Sequence, residues 1–150
     1  MDIQKSQICS QLSSKLFDFI SLIDSYIQSF EIKDFYTFSS EKARNNLYKN
    51  EYRKFILNTT DQIGGISIYI AEISSLLISA DRDMDSLSAE DLKDIFESYL
   101  LLESSLGDYK KETERMLSQQ NISVSALLNG AKKIKLHIEA LLEKVSKTEA

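Results

Sequence analysis

The amino-acid sequence predicts an all-α fold, an antiparallel up-down four-helix bundle that occupies residues 1–150 as one domain. Three observations carry that prediction. Apolar or near-apolar side chains fill every a and d position of three separate heptad frames. The chain contains no proline, so no helix interior loses a backbone donor to one. At 150 residues it is also long enough to bury about two thirds of its unfolded surface around one core, with no disulfide needed to staple it.

The first frame runs through Cys9, Leu12, Leu16, Phe19, Ile23, Tyr26 and Phe30. With 43% apolar residues overall, seven chosen positions fill this way by chance about 0.3% of the time, or about 2% across the seven frames available. One such run is compatible with luck; three are not. The first helix is therefore expected from about Ile3 to Phe30, with Ile8, Ile20 and Ile27 widening its stripe to the breadth a globular bundle needs. Beyond Phe30 the frame fails at Lys33 and Thr37, which predicts a connector. Its aromatic residues Phe35, Tyr36 and Phe38 are expected to fold over the open end of the bundle or to face a partner. Ser39 or Ser40 is placed to cap the next helix, because a hydroxyl there accepts from first-turn N–H groups.

The second helix is expected as one long element from about Glu41 to Ala80. Tyr52, Ile56, Thr59, Ile63, Ile66, Ile70, Ile73, Leu77 and Ala80 keep a single 4,3 spacing along it. Gly64-Gly65 interrupts that pattern, and two interior glycines cost roughly 2 kcal/mol relative to alanine. A kink, or a tight crossing where another backbone approaches, is expected there. The alternation of Ile66, Ile68 and Ile70 suits a strand, but the helical period on both sides outweighs it. Between Asp61 and Asp81 the only charged residue is Glu72, a pattern that fits a helix buried on most sides or a homo-oligomer seam through residues 61–80. Ser67, Glu72, Ser74, Ser75 and Ser79 break the segment too often for a membrane span, which needs about 20 predominantly apolar residues.

The third helix is announced by Ser88-Ala89-Glu90-Asp91, in which Ser88 can cap, Asp91 is the reciprocal acid and Glu90 suits the positive end of the helix dipole. Its frame is Leu92, Ile95, Tyr99, Leu102, Leu106 and Tyr109, and Lys110, Lys111 and Arg115 give its far end the complementary sign. A short polar turn, Ser118-Gln119-Gln120-Asn121, leads to a fourth helix capped by Ser123. The frame Val124, Leu127, Ala131, Ile134, Ile138, Leu141 and Val145 then fades near Val145. A turn this short makes the third and fourth helices antiparallel neighbours.

Net charge is −5, from 18 basic and 23 acidic residues, which disfavours non-specific attraction to nucleic acid or anionic lipid. The imbalance is local: residues 81–103 hold Asp81, Asp83, Asp85, Glu90, Asp91, Asp94, Glu97 and Glu103 against Arg82 and Lys93. Asp81, Asp83 and Asp85 sit at positions 1, 3 and 5 of an EF-hand-type loop. Position 6 is Ser86 instead of glycine, however, and position 12 is Leu92 instead of the bidentate glutamate, so a solvated acidic turn is expected and not a calcium site. Lys144 and Lys147 are expected to approach Asp91 and Asp94 from the fourth helix.

Chemistry-bearing patterns are otherwise sparse. The one histidine, His137, has Ile134 three residues before it, so the Glu-x-x-His pattern of di-iron bundles is missing, and a partly exposed structural role is expected. A lone histidine with no serine or thiol near it in sequence does not suggest a nucleophile system. Cys9 lies on the apolar seam and reads as a small core residue of a reducing compartment. Arg44, Tyr48 and Tyr52 share a helical face where single-stranded nucleic acid could rest. The balance over residues 34–58 is only +2, though, and stem-packing cations around half-buried tyrosines are the favoured reading. Gly64-Gly65 lacks the spacing and the lysine of a phosphate loop. The N-terminal residues lack a basic segment followed by an apolar run, so a cytoplasmic location is expected.

The functional expectation is a non-enzymatic protein-interaction module of adaptor, chaperone or toxin-neutralising type, with no cofactor and no metal. The partner is expected to be basic, met by Asp81, Asp83, Asp85, Glu90, Asp94, Phe35, Tyr36 and Phe38. The alternative is a sensor or carrier with a small-ligand pocket near the Gly64-Gly65 crossing.

Overall fold

The computed structural model of the chain is an all-α bundle of four helices: α1 (Asp2–Phe35), α2 (Glu41–Asp83), α3 (Ser86–Ser118) and α4 (Val124–Glu149). The structure describes the backbone of residues 2–35, 40–83, 86–119 and 121–149, and side chains within 7–32, 40–75, 90–119 and 121–147. No strand occurs among the described residues, and Ile66 to Ile70 are helical. Consecutive helices pack on one another, and α1 closes the ring against α4 through the largest of the four interfaces.

Named cross-helix contacts join three of these pairs. From α2 to α3 the Tyr52 hydroxyl donates to the Lys110 carbonyl at 3.3 Å, and Ser67 shares a short hydrogen bond with Tyr99. From α3 to α4 the Tyr109 hydroxyl donates to the Leu127 carbonyl at 3.3 Å and Lys144 donates to Ser98 Oγ at 2.6 Å. Lys135 with Asp24 at 2.6 Å and Lys132 with Glu31 at 3.4 Å join α4 to α1. Such half-exposed ion pairs contribute at most about 1 kcal/mol each; the apolar stripes hold the helices together.

Those stripes are buried as their spacing requires. In α1 every frame residue from Cys9 to Phe30 is buried, and in α3 every one from Leu92 to Tyr109. In α4 the residues Leu127 to Val145 are buried, with Val124 half-buried at the helix start. Deviations sit at the helix ends. Although the apolar frame of α1 ends at Phe30, the helix continues to Phe35, because residues 31–35 hold neither glycine nor proline. Ile32 in that extension is 56% exposed, so helix persists where burial stops. Likewise α4 reaches Glu149, and α2 reaches Asp83.

The caps fall largely where hydroxyls allow them. Ser40 Oγ accepts from the Ala43 N–H at 3.1 Å, and Ser123 Oγ accepts from the Ala126 N–H at 3.3 Å. Ser40→Ala is expected to cost about 1 kcal/mol in urea denaturation and Ser40→Gly only a few tenths, since glycine leaves the orphan N–H open to water. The third helix begins at Ser86, two residues before the cap position expected at Ser88, whose side chain lies outside the described residues.

The second helix departs most from its expected frame. Tyr52, Thr59, Ile66, Ile70 and Ile73 are buried as expected, but Ile56 and Ile63 are only half-buried, while Tyr48 and Phe55 are fully buried in their place. Nor is residues 61–75 the most buried stretch: Gly64 and Ala71 are exposed and Ile68 is 62% exposed. A helix in a ring of four touches two neighbours, so its outer face meets solvent whatever residues it carries. The tight crossing expected at Gly64-Gly65 is absent too, because a Cβ built on either glycine would meet no atom within 4 Å. The close approach occurs at Gly130, whose missing Cβ makes room for the ring of Tyr109.

Tyr109 ends an aromatic layer that crosses the bundle. Phe55 lies edge-on to Tyr26 of α1 (centroids 5.1 Å apart, planes at 80°) and to Tyr109 of α3 (5.2 Å, 67°). Asn58 Nδ2 donates to the Tyr26 hydroxyl at 2.7 Å. Burial raises the Tyr109 phenol well above its ordinary value, and raises Tyr26, Tyr52 and Tyr99 in the same direction. The unfolded chain gives up these protons near pH 10, whereas the folded chain keeps them. Stability is then complete below about pH 10 and is lost as pH climbs through the raised folded values. Urea midpoints are expected to be flat from about pH 7 to 9.5 and to fall beyond about 10, less steeply in Tyr109→Phe.

Candidate functional site

Helix α3 carries the described part of the acidic segment on its outer face. Glu90, Asp94 and Glu97 are all exposed and follow i, i+4, i+7 spacing, so they form one line about 10 Å long at 1.5 Å per residue. The next position on that line is Leu101, 61% exposed, with Leu100 beside it at 47%. Sequence reasoning named Glu90 and Asp94 as partner contacts, placed Glu97 in the acidic segment without assigning it to that surface, and missed Leu101. The signal was available: once α3 is set in register by its buried frame, the opposite face follows by counting turns.

The remaining candidates do not join this line among the described residues. Asp81 and Asp83 form the C-terminal turn of α2, and the side chains of Asp81, Asp83 and Asp85 lie outside the described residues. Of the twelve-residue EF-hand window 81–92, the described residues 81–83 and 86–92 are helical. No group of three or more metal-ligating side chains occurs among the described residues. Phe35 is the last residue of α1, and its side chain, Tyr36 and Phe38 lie outside the described residues, as does their expected position over the bundle end. Lys147 pairs with Glu143 on its own helix at 3.5 Å, and Lys144 reaches Ser98, one turn beyond Asp94.

The basic-aromatic face of α2 is turned into the core. Tyr48 is fully buried and Tyr52 is 4% exposed with its hydroxyl committed to Lys110, so neither ring offers a stacking platform. Half-burial was expected of them; the structure buries both. Arg44, Arg53 and Lys54 remain exposed around them. His137 is half-buried beside the α4 seam, and Cys9 is wholly buried. No described helix is long and apolar enough to cross a membrane.

A groove of about 560 Å³ opens at one end of the bundle, between Glu41, Lys42, Asn45, Asn46 and Lys49 of α2 and Leu117 with Ile122 at the α3–α4 turn. It lies more than about 20 Å along α2 from Gly64, so the pocket imagined near the glycine pair and this groove are separate places. At the surface, Asp24 holds the Lys135 ammonium above the usual lysine range, and Arg115 holds Glu112 below the usual carboxylate range. Both are exposed pairs of the kind that decorate helix surfaces.

No family model, no curated protein and no solved structure matches the chain.

Proposed function

We propose that this chain is an up-down four-helix bundle that works without catalysis as a cytoplasmic protein-binding module, of adaptor, chaperone or toxin-neutralising type. The observation that carries this reading is the outward line of Glu90, Asp94 and Glu97 running into exposed Leu101 and Leu100. Carboxylates in a row draw a basic partner from solution and speed its encounter, and adjacent apolar side chains supply affinity once water is excluded. Asp81, Asp83, Asp85, Phe35, Tyr36 and Phe38 remain candidates for contact with the same partner on their charge and aromatic character alone.

The test is capture of a basic protein from the source cell by the immobilised chain, with salt and charge as controls. The captured protein is expected to bind at about 50 mM salt and to weaken by roughly tenfold or more near 200 mM. The triple variant Glu90→Lys, Asp94→Lys, Glu97→Lys is expected to lose it while keeping the helical circular dichroism of the parent. Undiminished capture by that variant would overturn the assignment of this face.

A further inference from the structure

We draw no further inference here: the strongest candidate, the outer face of α2 on which Leu57, Gly64 and Ile68 stand exposed, is an unpartnered surface patch and nothing in the structure shows what covers it.

Discussion

Gly130→Ala is expected to destabilise the protein by about 2 kcal/mol, although alanine is the better helix former by about 1 kcal/mol. An alanine Cβ at residue 130 would fall within contact distance of Cδ2 and Cε2 of the Tyr109 ring. That ring has little freedom to retreat, since its hydroxyl is tied to the Leu127 carbonyl and its other side rests on Phe55. Overpacking of this kind typically costs about 1–3 kcal/mol; with the ring held on two sides the cost sits near the upper end, which leaves about 2 kcal/mol after the propensity gain is subtracted. The same substitution at Gly64, Gly65 or Gly107 meets open space. Each is expected to stabilise by about 0.5–1 kcal/mol through the unfolded chain's lost freedom. Denaturation midpoints for the four variants should therefore split in sign. If Gly130→Ala proved as stabilising as Gly64→Ala, the packing of Tyr109 against α4 would be wrong.

Phe55→Ala is expected to have a larger effect, about 3–5 kcal/mol, because it removes a fully buried ring and leaves a cavity at the meeting point of three helices. Its two edge-on contacts with Tyr26 and Tyr109 add roughly 0.5–1.5 kcal/mol each beyond the buried area. Against a total stability of about 5–15 kcal/mol, this one change brings the protein close to unfolding at physiological temperature. Ile56→Ala is the matched control. Its side chain is only half-buried, so a loss well under about 2 kcal/mol is expected. Equal losses at 55 and 56 would mean that α2 is rotated from the register described above.

That contrast also shows where reading the sequence succeeds. The stripes of α3 and α4 were legible because each helix is divided into apolar and polar faces; that of α1 was legible from its unbroken seven-position frame, although Phe17 and Ile32 stand exposed outside it. In α2 the division is blurred: Tyr48, Phe55, Ile56, Leu57, Ile63 and Ile68 surround the helix, and several rotations bury comparable apolar area. Packing on α1 and α3 chose among them, leaving Leu57 67% exposed while burying Thr59, whose hydroxyl is satisfied by the Phe55 carbonyl at 2.8 Å. The glycine pair misled for a related reason. Glycine permits a close approach without requiring one, and the neighbour that makes use of the missing Cβ stands at Gly130. Of the candidate surface, Glu90 and Asp94 were legible because charge on a helix opposite a buried stripe must face water. Asp81 and Asp83, expected in a turn, belong to α2, since charge alone does not end a helix.

The closure of α1 against α4 joins stretches separated by roughly a hundred residues of chain. A nascent polypeptide emerging from the ribosome would therefore expose Leu16, Phe19 and Ile23 without their main cover until residues 124–149 had been synthesised. Cooperative folding then waits for translation of the last helix. Arresting synthesis before Val124 would leave a protease-sensitive intermediate.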